Sequence, residues 1–215
     1  MSELIHSILH LDQTLNLWLQ LYGTGVYLVL FLIIFAETGL VIMPFLPGDS
    51  LLFAAGALCA INAVDLRIEF LIPLLILSSL LGDSLNYYVG LKYGRRLFES
   101  KHGLSFLFSP KYLKVTEEFY IKKGLWAVSL ARFFPIIRTF APFVAGLTKM
   151  PYKSFVKMSI LGSIAWVSIF ATAGYLFGQI PFVQKNFTAL VMAVVGLSLT
   201  PFIVGVIRRT FVKSL

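Results

Sequence analysis

The sequence predicts an all-helical, polytopic membrane protein built around two opposed re-entrant helical hairpins in an inverted-repeat arrangement. Three observations carry that prediction. The chain is 58% hydrophobic and only 13% charged, with a mean hydropathy of +0.87, whereas soluble domains average about 25% charged residues. Two long apolar stretches carry charges and are interrupted by proline. Basic residues gather in blocks separated by apolar runs. About three full transmembrane helices and an N-terminal amphipathic helix complete the expected architecture, as one membrane domain over residues 1–215.

Residues 1–22 set Glu3, His6, His10, Asp12 and Asn16 among apolar residues. Leu4, Ile5, Ile8, Leu11, Leu15 and Trp18 recur at helical spacing, so a helix lying in the membrane interface fits better than a span. The run lacks the basic start and small-residue cleavage site of a secretory signal. His6 and His10 stand one turn apart, but no third ligand accompanies them and no metal site is expected.

Residues 25–64 are apolar for long enough to cross a bilayer twice at about 20 residues per crossing. In their middle stands AETGLVIMPFLPGDSLLFAAG, with the acids Glu37 and Asp49 and an expected break at Pro44, Pro47 and Gly48. Each proline removes a backbone donor and clashes with the preceding turn, and Pro-Gly-Asp favours a turn. Freed backbone groups cannot face lipid, so such a break must be buried in protein or line a wet cavity. A carboxylate at the bilayer centre costs roughly 2.5–3.5 kcal/mol and marks a functional site by default. A re-entrant hairpin carrying acids to a buried polar cavity is the reading; two ordinary helices joined by an exposed turn are the alternative.

A full span is expected over 69–91, with Gly82, Asp83, Asn86 and Tyr87 inside it. Asp83 either bonds a neighbouring helix together with Asn86 or takes part in transport. Residues 92–123 form a basic, amphipathic segment whose lysines and arginines meet anionic lipid head groups, each contributing about 1 kcal/mol near the surface. Residues 124–149 form the second broken stretch, with Arg132 and Arg138 among apolar residues and breaks expected at Pro135 and Pro142. On an unbroken helix the two arginines would point roughly 120° apart, whereas a break at Pro135 lets both enter one cavity. Full spans follow over 153–178 and 187–207.

The positions of the basic residues set the orientation. No Lys or Arg precedes Arg67; they crowd into 92–123, recur at Lys149, Lys153 and Lys157, and end at Arg208, Arg209 and Lys213. The positive-inside rule places these regions, and with them the C-terminus, in the cytoplasm. The two hairpins then enter from opposite faces. The net charge of +8 follows from this topology and gives no reason to invoke nucleic acid. FLPGDSLLFAAG and FAPFVAG share a Phe-x-Pro followed by Ala-Gly, and broken segments at corresponding positions of two halves point to a transporter's midplane site.

The chemistry available is two arginines from one hairpin and acids from the other. Arginine suits forked binding of phosphate, helix ends at a break add N–H donors for the same anion, and acids beside a cavity can carry protons. Static Glu/Asp–Arg pairs that pin the hairpins together are the alternative. No enzyme is expected: no His lies in the apolar core, and Cys59 lacks a nearby His. The sequence also shows no metal cluster and no phosphate-binding loop, so no cofactor is expected.

The runs ETGLVIMPFLPGDSLLFAAGAL, GDSLNYYVG and ARFFPIIRTFAPFVAGLTKM, with the following SILGSIAWV, resemble the DedA family of bacterial inner-membrane proteins, within the SNARE-associated (VTT) superfamily. The resemblance covers nearly the whole chain. It implies facing re-entrant hairpins and a multi-pass protein of the bacterial inner (cytoplasmic) membrane. It also implies return of undecaprenyl phosphate across that membrane for cell-envelope synthesis, linked to the proton motive force. The family's functional acids fall on Glu37 and Asp49 and its functional arginines on Arg132 and Arg138; the context favours Asp83 as well. The implied partners are a polyprenyl-phosphate or phospholipid substrate, protons and anionic lipids, and a homo-oligomer is compatible with them. Two rivals stay open: a general flippase or scramblase of phospholipids such as phosphatidylethanolamine, and a non-transporting membrane scaffold. The scaffold reading expects an exchange of charge between Glu37 and Arg132 to restore function.

Overall fold

A computed structural model describes residues 25–40, 48–61, 66–99 and 110–185. These residues are helical throughout, joined by turns. The helices are α1 (Gly25–Gly39), α2 (Gly48–Ala60), α3 (Ile68–Glu99), α4 (Pro110–Lys123), α5 (Trp126–Ala131), α6 (Pro135–Leu147), α7 (Tyr152–Gly178) and α8 (Pro181–Lys185). The expected amphipathic helix over 1–22, the break at Pro44 and Pro47, and the span over 187–207 lie outside the described residues.

Among the described residues two helices are long and apolar enough to cross a bilayer, Ile68–Gly94 within α3 and Tyr152–Gly178. The first is longer than the 69–91 expected from hydropathy. Its helix runs on to Glu99 through LKYGRRLFE, because Leu, Lys and Arg are good helix formers and cations suit a helix C-terminus. The basic segment therefore begins on the end of a spanning helix.

Local chemistry explains the boundaries further along. Pro110 opens α4 at a position whose N–H would be unpaired in any case. Gly124, at φ +57°, ends it, donating its N–H to the Tyr120 carbonyl at 2.8 Å in the left-handed conformation glycine adopts freely. Phe134 is extended (φ −117°, ψ 106°), as a residue before proline must be, and Pro135 starts α6. The short turn 132–134 separates α5 from α6, so the chain breaks ahead of Pro135. It does not break at Pro142, which lies inside α6. The turn that Pro142 weakens is supported from outside: Asn86 Nδ2 donates to the Thr139 carbonyl at 2.9 Å, and the Tyr120 hydroxyl donates to the Ala141 carbonyl at 2.8 Å. Outside donors of this kind let proline stay within a helix at membrane depth.

The described helices gather into two compact units. The first draws on the described residues within Met1–Val29, Phe45–Leu71 and Ile169–Leu215, the second on those within Leu30–Pro44 and Ile72–Ser168. In the second unit, Tyr87, Val128, Ala145 and Phe155 form a buried core; Tyr87 and Phe155 stack with centroids 4.8 Å apart.

One packing device recurs in both units. In the second, a Cβ on Gly90 would run into the Phe143 carbonyl, and one on Gly146 into the Tyr87 carbonyl. The tetrads YYVG of α3 and FVAG of α6 therefore meet backbone to backbone. In the first unit, Gly56 meets the Ala171 carbonyl and Gly174 the Phe53 carbonyl in the same way, joining FAAG of α2 to ATAG of α7. Small residues that let backbones touch are the usual contact between helices in lipid, where apolar burial alone gives no drive. FAAG and FVAG end the two similar runs FLPGDSLLFAAG and FAPFVAG, and each makes the same kind of contact within its own unit.

Candidate functional site

Four charged side chains converge within the second unit. Glu37 stands on the last turn of α1 and is 1% exposed; Asp83 lies in the middle of α3; Arg132 caps the C-terminal end of α5 and is 6% exposed. Arg138 follows one turn into α6. The break ahead of Pro135 aims both guanidiniums at one place, which a continuous helix would not do.

The charges pair across the unit. Arg132 Nη2 stands 2.5 Å from Asp83 Oδ2, and Arg138 Nη2 donates to Glu37 Oε1. The partner of Glu37 is thus Arg138 and not Arg132. Burying ions in pairs is costly unless the remaining donors and acceptors are met; around Arg132 serines meet several of them, while its Nε makes no hydrogen bond. Its Nη1 donates to Ser79 Oγ at 2.7 Å, and Ser159 Oγ donates to Asp83 Oδ2 at 2.5 Å. Ser163 donates to the Ser159 carbonyl at 2.7 Å. Having one proton to give, it receives the Ser79 hydroxyl across 3.2 Å.

An aromatic floor completes the site. The Trp166 ring is fully buried, with the Arg132 guanidinium carbon 5.7 Å from its centroid and that of Arg138 at 5.3 Å. Both fall within the roughly 6 Å range of cation–π attraction. Asn86 ties the elements together, donating to the Thr38 carbonyl at 3.2 Å and to that of Thr139 at 2.9 Å. Beside the site, burial pushes the Tyr120 phenol up, with the Asp83 charge adding to the shift, so it stays a neutral donor.

Glu37, Asp83, Arg132, Arg138, Thr139 and Pro142 line a cavity of about 10 Å³, room for one water. Its formal charges cancel, two carboxylates against two guanidiniums. A phosphoryl group needs more space than this, so binding one requires at least one pair to part. Asp49 stands in the first turn of α2 in the other unit, where a carboxylate complements the helix N-terminus. Among the described residues no group of His, Cys, Asp and Glu could hold a metal ion.

Serines and Trp166 are the site residues that the sequence reading passed over. A signal existed. Ser79, Asp83 and Asn86 share one face of α3 by helical spacing, and Ser159, Ser163 and Trp166 share one face of α7. Two polar stripes on apolar helices had to face each other or a cavity.

Residues 46–176 match the VTT domain. The chain is 45% identical over 206 residues to Protein DedA of Escherichia coli K12, covering 96% of this chain and 93% of that one. It is 40% identical over 187 residues to an uncharacterized membrane protein of Mycobacterium tuberculosis, covering 87% and 81% of the two chains. It is 32% identical over 189 residues to the inner membrane protein YghB of E. coli K12, covering 87% and 84%. No solved structure matches the chain.

Proposed function

The chain belongs to the VTT-domain family of membrane proteins that includes DedA, and from that premise we propose that it returns undecaprenyl phosphate across the cytoplasmic membrane, driven by protons. The supporting observation is the neutral quartet: one buried and one largely buried guanidinium, each held by a carboxylate, around one small cavity. Arginine binds phosphate with two parallel hydrogen bonds, so a lipid phosphate competes with the carboxylates for the same donors. A carboxylate that gives up its arginine in a buried site must be neutralised, because an unpaired charge there is strongly unfavourable. Taking up one proton and one monoanionic phosphate leaves the net charge of the cluster unchanged. That balance is the proposed coupling. Arg132 and Arg138 hold the phosphate, Glu37 and Asp83 take the proton, and Asp49 is given the same role by family resemblance. The polyprenyl tail stays in lipid.

Labelled undecaprenyl phosphate placed in one leaflet of proteoliposomes tests this. Arg138→Ala should stop its movement; full-rate movement in that variant contradicts the assignment. Equal movement of phosphatidylethanolamine by the wild type would mark a general flippase or scramblase instead. The paired quartet also favours a second reading, a scaffold in which the pairs are static. Exchanging charge between Glu37 and Arg138 would then restore function, whereas the transporter loses it.

A further inference from the structure

We infer that Trp166 is the positioning residue that keeps the guanidiniums of Arg132 and Arg138 together as a phosphate clamp after their carboxylates let go; this rests on the phosphate-carrier reading above. Two like charges held close repel one another. In the paired state Asp83 and Glu37 offset that repulsion. During the proposed step at least one carboxylate is protonated and its attraction disappears, at the moment the clamp must be in place. The indole does not titrate. Its ring lies 5.7 Å and 5.3 Å from the two guanidinium carbons and is shut off from solvent, where cation–π attraction is strongest. It therefore holds both arginines whatever the protonation of the acids.

The surface of α7 is shaped for this. One turn before Trp166, a Cβ on Gly162 would come within 2.9 Å of the Ser129 Cα and 3.0 Å of Arg132 Cδ, so the end of α5 and the stem of Arg132 both pack on this glycine. The aliphatic stem of Arg132 thus crosses the bare backbone at Gly162, and its head reaches Ser79 and Asp83 beside the indole. Position 162 sets the path of the stem and position 166 the place of the charge. A clamp with fixed spacing also discriminates. A phosphomonoester offers three terminal oxygens to two forked donors, whereas a phosphodiester offers two, so loss of the spacing should erode the preference for the monoester.

Equilibrium binding of labelled undecaprenyl phosphate to the detergent-solubilised chain tests the inference, with phosphatidylethanolamine as the competing diester. Trp166→Leu should weaken monoester binding at least tenfold and narrow the monoester-to-diester ratio. Trp166→Phe, which keeps an aromatic face, should recover a good part of both. Trp126→Leu, at an exposed position on α5, should bind as the wild type does. Trp166→Leu binding unchanged, or Trp166→Phe as defective as Trp166→Leu, overturns the inference and leaves the carrier reading standing. A wild type that does not bind the lipid phosphate overturns the carrier reading, and the inference falls with it. If Trp166→Leu does not fold, Trp166→Met, which fills more of the space without an aromatic face, carries the same expectations: an unchanged affinity and ratio in that variant overturn the inference.

Discussion

Arg132 Nη2 and Asp83 Oδ2 stand 2.5 Å apart, and Ser159 donates to that same carboxylate oxygen. The pair is therefore fixed from α3, from the end of α5 and from α7 at once. Removing only one charge leaves the other buried.

Single removal should be expensive and double removal less so. Arg132→Ala is expected to destabilise the folded protein by about 3–5 kcal/mol, the usual cost of orphaning one member of a buried pair. With Asp83→Ala added, part of that loss should return, giving a coupling of about 0.5–3 kcal/mol. Thermal unfolding in detergent of the two single variants and the double variant measures it; strictly additive losses would mean that the pair does not interact.

The glycine contacts make a prediction for each unit. Gly146→Ala and Gly56→Ala each place a Cβ against a backbone carbonyl that cannot swing aside. Each should cost about 1–3 kcal/mol or more, as overpacking does, and the losses should be similar because the two sites are built alike. Melting temperatures test this. A harmless substitution at one site and a severe one at the other would remove the parallel between the two contacts.

Asn86 and Pro142 should be coupled. Asn86→Ala removes both of its bonds to the Thr38 and Thr139 carbonyls, an expected loss of about 1–3 kcal/mol. In a Pro142→Ala background the new N–H bonds the Arg138 carbonyl and firms the turn that carries Thr139, so the same substitution should cost less. An equal loss in both backgrounds would show that Asn86 does not compensate for the proline.

Much of this site could be read from the sequence, and the rest was hidden for definable reasons. Charges in apolar sequence flagged Glu37, Asp83, Arg132 and Arg138, because lipid makes such residues conspicuous. The Pro135 break was legible, since proline restricts the residue before it. The pairing was not: Glu37 and Arg138 are 101 residues apart, and sequence spacing carries no information at that range. Pro142 misled because its effect depends on a donor from another helix, Asn86. Ser79, Ser159, Ser163 and Trp166 were passed over because serine and tryptophan are ordinary residues in apolar helices. Only their shared faces distinguish them.

The most direct test of the account is the driving force of transport. In proteoliposomes carrying labelled undecaprenyl phosphate, an imposed pH gradient and an imposed voltage can be applied separately. Uptake of one proton with one monoanionic phosphate is electrically neutral, so movement should accelerate several-fold with the pH gradient and be unchanged by voltage alone. Movement indifferent to the pH gradient, or driven by voltage alone, would contradict the exchange of proton and phosphate at the paired quartet.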